Sequence, residues 1–188
     1  MNVAEFESLL QGAAETDQLE FKGAMAWHAN SLVKDILAFS NVEDGGRIII
    51  GVDDGTWERQ GLSADQLASF QPDQMRDAIA PFADPEVVFK VDFPQDANGL
   101  TFAVIDIAPF REVPVICKRD GQDVQRGTIY FRSRAQKPQS ARVSTEYDMR
   151  GIIERAIIKR GQALRRIGFT LPAADAAAEA YDKELGGL

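Results

Sequence analysis

Gly45-Gly46-Arg47-Ile48-Ile49-Ile50-Gly51-Val52-Asp53-Asp54 is the stretch that decides the fold. Residues 47–52 form a nearly unbroken β-branched run, which predicts a central strand buried on both faces. Gly45-Gly46 supplies a turn into that strand of a kind only glycine tolerates cheaply. Asp53-Asp54-Gly55 closes it as a turn.

Upstream, residues 18–22 alternate, with Leu19 and Phe21 on one face and Glu20 and Lys22 on the other, as in a half-buried strand. Between the two strands Leu32, Val33, Ile36, Leu37 and Phe39 recur at helical spacing, and this helix should stop before Gly45. Asn2 is placed to cap a first helix whose Val3, Phe6, Leu9 and Leu10 share a side.

Downstream, Pro72 suits the first turn of a helix carrying Met75, Ile79 and Phe82. Residues 86–93 and 100–107 read as strands joined across Asn98-Gly99. Residues 113–117 and 128–131 read as two short strands around Asp120-Gly121. Residues 144–167 predict a long helix with Met149, Ile152, Ile153, Ile157 and Leu164 as its apolar stripe, weakened at Gly161. The pattern is α/β: a mixed β-sheet flanked by helices, with a long C-terminal helix. A single domain over 1–168 is expected, followed by an Ala-rich acidic tail over 169–188 read as a short helix or a frayed end.

The 188 residues are long enough to bury a real core, and 45% hydrophobic with 27% charged residues is ordinary for a soluble domain. No run approaches a membrane span, Glu5 and Glu7 sit where a signal peptide would be basic, and a cytoplasmic chain is expected. One cysteine, Cys117, and one histidine, His28, exclude an intramolecular disulfide and argue against zinc. No Gly-x-x-x-x-Gly-Lys-Ser/Thr occurs, so ATP is not an expected cofactor. His28 stands alone near a helix start and reads as a capping residue, not a catalyst. A net charge of −8 and a pI near 4.7 weigh against a generic nucleic-acid coat. The charge is uneven, however: residues 1–110 are acidic and most of the basic residues lie in 111–166, so one positive face is still available.

Three groups of residues could carry chemistry. Glu15, Glu20 and Asp53 are carboxylates of the kind that hold hard cations, and Asp53 follows the central strand, where α/β sheets place ligands. The plainer alternatives are a solvated Glu15, a Glu20 paired with Lys22 or a neighbouring strand's cation, and an Asp53 that shapes a turn. Tyr130-Phe131-Arg132-Ser133-Arg134, with Lys137 and Arg142 after it and Lys118, Arg119 and Arg126 before it, is the second group. Its arginines suit phosphate and Tyr130 an unpaired base; the alternative is a core aromatic with a solvated cationic rim. Lys159, Arg160, Arg165 and Arg166 form the third, where cations also complement a helix C-terminus.

Glu15, Glu20-Phe21-Lys22, Ala38-Phe39-Ser40-Asn41 and the Gly45–Asp54 block, in this order, resemble the Schlafen AlbA-like family (AlbA-2, divergent AAA-4) over roughly residues 15–142. The chain departs from the family's Asn-Thr-x-Gly-Gly turn, since its Gly-Gly pair arrives two residues late. The resemblance implies a nucleic-acid-binding module, DNA-binding or regulatory, such as part of a transcriptional regulator. RNA-cleaving Schlafens carry a Glu, Glu, Asp trio in these motifs, which makes Glu15, Glu20 and Asp53 the implied catalytic and metal-binding residues, with Mg²⁺ or Mn²⁺ as cofactor. A metal-dependent endoribonuclease acting on structured RNA such as tRNA is therefore a second reading. A protein-interaction domain without nucleic acid is a third, favoured by the acidic pI. Lys22, Lys118, Arg119, Arg126, Tyr130, Arg132, Arg134 and Lys137 are the implied nucleic-acid contacts. Schlafen cores resemble two such modules in one chain, so a homodimer is expected, joined through the helix over 144–167 where Ile152, Ile153, Ile157 and Ile158 spread beyond one stripe.

Overall fold

A computed structural model describes residues 1–11, 16–132 and 139–169. The predicted first helix is α1, Val3–Gln11. Asn2 caps it reciprocally: its Oδ1 accepts from Glu5 N at 2.9 Å while Glu5 Oε2 accepts from Asn2 N at 3.0 Å. β1 (Leu19–Lys22), α2 (Ala29–Ser40) and β2 (Gly46–Ile50) then form a β-α-β unit whose strands run parallel, Glu20 opposite Ile48 and Lys22 opposite Ile50.

β4 (Phe89–Asp92) and β5 (Ala103–Ile107) form the antiparallel pair expected across Asn98-Gly99, and β5 pairs antiparallel with β2. The sheet order is β1-β2-β5-β4, with β2 interior as its sequence demanded. Alternation along the strands sorts two cores. Phe21, Ile49 and Val104 face α1, where Phe6 and Phe102 meet with ring centroids 5.1 Å apart. Ile48, Ile50, Ala103, Ile105 and Ile107 face α2 and its Leu32, Ile36 and Phe39. The late Gly-Gly pair is required by packing. Gly45 has φ +76° and a Cβ there would lie 2.1 Å from Ile107 O, while one on Gly46 would strike the Phe39 ring.

Several small elements escape the sequence pattern. α3 (Ala64–Ser69) is a single capped stretch set by Ser63 and Gln66. α4 (Pro72–Ile79) begins on Pro72 as predicted, and Phe82 falls in a 3₁₀ turn beyond it. The two short strands around Asp120-Gly121 take other partners. β6 (Ile116–Cys117) pairs with β3 (Ala83–Asp84), and β7 (Tyr130–Arg132) pairs with β8 (Ser140–Arg142). The β7–β8 pair lies against α2.

α5 (Glu146–Arg166) is the predicted long helix, capped by Thr145. Its apolar stripe is not a core stripe. Ile152 is buried, but Ile153, Ile157 and Ile158 are 50%, 66% and 57% exposed. The predicted tail from residue 170 lies outside the described residues.

Candidate nucleic-acid interface

Strand alternation turns Glu20 and Lys22 towards α2, beneath a helix that also supplies Asp35. Lys22 Nζ lies 2.6 Å from Glu20 Oε1 and 3.3 Å from Asp35 Oδ2. Burial alone would pull the Lys22 ammonium down, but Asp35 and Glu20 more than reverse that and hold it above its ordinary value. The second oxygen of Glu20 is taken from the far side. Arg132, on β7, is wholly buried; its Nη1 donates to Glu20 Oε2 at 2.5 Å and its Nη2 to Thr16 O at 3.2 Å. The guanidinium also sits 4.9 Å from the centre of the Phe39 ring.

This corrects two expected surface contacts. Arg132 spends its charge on a buried carboxylate, and Tyr130, 3% exposed, uses its hydroxyl to accept from Gln125 N at 2.9 Å. Neither presents to a phosphate or a base. The plainer reading of Glu20 as a partner of Lys22 describes part of its geometry; its second cation comes from β7, in a separate two-stranded sheet.

Asp53 likewise shapes its turn. Its Oδ1 accepts from Gly55 N, Thr56 N and Thr56 Oγ1 at 3.0, 2.8 and 2.9 Å. The backbone and side-chain bonds from Thr56, then that from Gly55, hold its carboxyl below the ordinary 3.8. A depressed acid contributes stability that is complete above the ordinary value and is lost as pH falls through the lower native one. The thermal-stability advantage of wild type over Asp53→Asn should therefore shrink between about pH 5 and about pH 3. A difference that does not change with pH would show that the charge has no part in the turn.

Of the expected metal trio, Glu20 and Asp53 lie among the described residues. Glu15 lies outside the described residues, as do Arg134 and Lys137. Glu20 already faces two cations, and Asp53 is absent from the cavity Glu20 lines. Among the described residues no three His, Cys, Asp or Glu side chains are arranged to hold a metal ion. Both oxygens of Glu20 are held by cations, and Asp53 Oδ1 is held by its own turn.

What does assemble is a polar cavity of about 230 Å³ whose walls include Glu20, Lys22, Lys34, Asp35, Asp54 and Asp123. Lys34 comes from α2, immediately before Asp35, and Asp123 from the loop between β6 and β7. That same loop carries Lys118, Arg119 and Arg126, all exposed as expected. Asp120 Oδ1 shapes it by accepting from Arg126 N at 2.9 Å, and Arg119 rests 5.6 Å from the Phe82 ring centre. Lys34, Asp35 and Asp123 gave no sequence signal, since lone charges on a helix face or in a loop are usually solvated. On α5, Lys159 donates to Phe110 O at 2.7 Å and Arg160 pairs with Glu112, leaving Arg165 and Arg166 exposed in the last turn.

The profile of the family described as Schlafen, AlbA_2 matches residues 15–141. The chain belongs to the Schlafen AlbA_2 family. No curated protein matches it. Among solved structures it is similar to the DIP2311 protein of Corynebacterium diphtheriae, with 18% identity and a TM-score of 0.49. That likeness covers 75% of this chain but only 29% of the other. It is also similar to the N-terminal domain of a RecG-related protein from Nitrosomonas europaea, with 19% identity, a TM-score of 0.43 and coverage of 66% and 86%. Of the family motifs, Glu20 and Lys22 in β1 and Ala38-Phe39-Ser40-Asn41 at the end of α2 lie on the α2 side of the sheet, while Phe21 faces α1. No helix among the described residues is long and apolar enough to cross a membrane.

Proposed function

We propose that this AlbA_2 domain binds nucleic acid across the mouth of the Glu20–Lys22 cavity, as a DNA-binding or regulatory module in the cytoplasm. One observation carries the reading. The loop whose Asp123 lines the cavity also carries Lys118, Arg119 and Arg126, all exposed to solvent. Exposed cations on a loop that borders a polar recess suit backbone recognition, in a chain whose overall charge is otherwise repulsive. Family membership supports the same class of partner. The chain acts as a homodimer in this reading, which the exposed isoleucines of α5 support.

The test is retention of tRNA, single-stranded RNA and duplex DNA against salt, each with and without Mn²⁺. The variant Lys118→Ala/Arg119→Ala/Arg126→Ala should flatten the slope of log affinity on log salt by about 2 units for a single strand. Lys90→Ala, an exposed cation on β4, should leave the slope as in wild type. Equal slopes for all three proteins would move the interface elsewhere, and no retention of any probe would leave the protein-interaction reading. Metal-dependent cleavage in the same incubations would favour the endoribonuclease.

A further inference from the structure

β4 ends the sheet, paired on one side with β5 and on the other with no strand among the described residues. The ladder fixes which of its backbone groups are left over. Val88 O accepts from Ala108 N at 2.9 Å and Pro94 O from Phe102 N at 3.0 Å, so even-numbered residues turn their N–H and C=O groups towards β5. Those of Phe89, Val91 and Phe93 point the other way, and no hydrogen bond is made to them among the described residues. Pro94, whose missing donor faces inward, does not block that edge. Such an edge is a template for another strand unless charge or a bulge blunts it.

The charges on β4 select a strand instead of only repelling one. Phe89 and Val91 pack on the α2 side, with Phe93, 44% exposed, next along that face. Lys90 and Asp92 stand exposed on the opposite face. Neither makes an ion pair among the described residues, and Asp106, opposite Lys90 on β5, is held by Arg47 at 3.4 Å. An antiparallel copy of β4 at this edge must set odd-numbered residues against odd-numbered ones to form its bonds. With Val91 opposite itself, Phe89 pairs with Phe93 of the other copy, and Lys90 falls opposite Asp92 on both sides of the two-fold axis. The two neighbouring registers set Lys90 against Lys90 or Asp92 against Asp92, and like charges directly opposite are destabilising. The strand is its own complement in one register.

We infer that β4 is the docking edge for a second copy of the chain, antiparallel about Val91, which joins the two four-stranded sheets into one. The inference rests on the homodimer reading and places its contact on β4 rather than α5. It leaves both Glu20–Lys22 cavities free, since β1 lies at the opposite end of each sheet. Backbone pairing supplies the attraction, and the Lys90–Asp92 pairs supply the register. A ladder this short makes a small interface, so association should be weak and concentration-dependent.

Light scattering of wild type should show the mass rising from the 20.7 kDa of one chain towards twice that value. The rise should fall between about 1 and about 100 µM. Lys90→Glu and Asp92→Lys each turn two favourable pairs into two repulsive ones and should weaken association about 10-fold or more. The double exchange Lys90→Asp/Asp92→Lys should restore it, and an equimolar mixture of the two single variants should associate better than either alone. Both side chains are exposed, so circular dichroism should stay that of wild type. Lys90→Ala keeps the ladder and should cost association only about a few-fold. Amide exchange at Val91 should slow as concentration rises, while that at Lys90, already turned towards β5, should not. A wild type that stays monomeric throughout overturns both the homodimer and this contact. A dimer that ignores the single reversals, that the double exchange fails to restore, or in which Val91 exchange does not slow, overturns the β4 contact and leaves the homodimer standing.

Discussion

Arg132→Met lowers the unfolding free energy by roughly 3–5 kcal/mol, the range for removing one member of a buried ion pair. The arginine is fully buried and its partner Glu20 is 6% exposed. Methionine fills much of the volume but leaves the Glu20 carboxylate in the interior with Lys22, 2.6 Å away, as its remaining counter-charge among the described residues, and Lys22 is shared with Asp35. The stacking of the guanidinium on Phe39 and its bond to Thr16 O are lost as well. Urea denaturation measures the loss. Adding Glu20→Gln to Arg132→Met should recover part of it, since the stranded charge is then gone; equal stability of the single and double variants, or a loss below about 1 kcal/mol, would show that the pair does not hold β7 to the sheet.

That pair explains how far the site was legible in the sequence. The alternation of Leu19-Glu20-Phe21-Lys22 and the β-branched run after Gly46 gave both parallel strands and the faces of their side chains, because a period of two and continuous burial have few alternatives. For Tyr130 and Arg132 the sequence offered a phosphate-reading surface or a core aromatic with a solvated cationic rim; Tyr130 is the core aromatic, but the buried Arg132 fits neither. Only tertiary placement reveals its role, since Arg132 meets Glu20 across 112 positions of chain. The same holds for α5. A helical stripe of isoleucine reads as core, and whether a core lies beneath it depends on what packs there. α3 escaped although Ser63-x-x-Gln66 carries a capping-box signal, realised here as reciprocal bonds at 2.8 and 3.3 Å. The two-residue strand β3 had no periodicity to read, and β6 occupies only the end of the strand expected over residues 113–117.

Asn41 is where the family motif does structural work that no surface reading would assign to it, and Asn41→Ala should cost about 3 kcal/mol. The residue is fully buried at the end of α2. Its Nδ2 donates to Val115 O at 2.9 Å and Tyr130 O at 3.0 Å, and to Leu37 O at 3.2 Å, while its Oδ1 accepts from Val115 N at 2.8 Å. Its own carbonyl accepts from Arg155 on α5 at 2.8 Å. One amide therefore ties the segment before β6, the start of β7 and the last turn of α2 together, in place of a sheet ladder that these short strands do not form with one another. Alanine removes a partner from Val115 N–H and from the Val115, Tyr130 and Leu37 carbonyls in the interior, and each buried group left unsatisfied costs about 1–3 kcal/mol. Ser40→Ala, one residue away, is the internal control. Ser40 is equally buried, but its hydroxyl makes a single bond to Ile36 O at 2.8 Å, so its loss should stay near 1 kcal/mol. Amide exchange locates the effect: Val115 should lose protection in Asn41→Ala and keep it in Ser40→Ala, while Ile49 in the central strand changes only with global stability. Similar costs for the two variants, with Val115 still protected in Asn41→Ala, would mean that the segment is held by its apolar contacts and the amide is incidental.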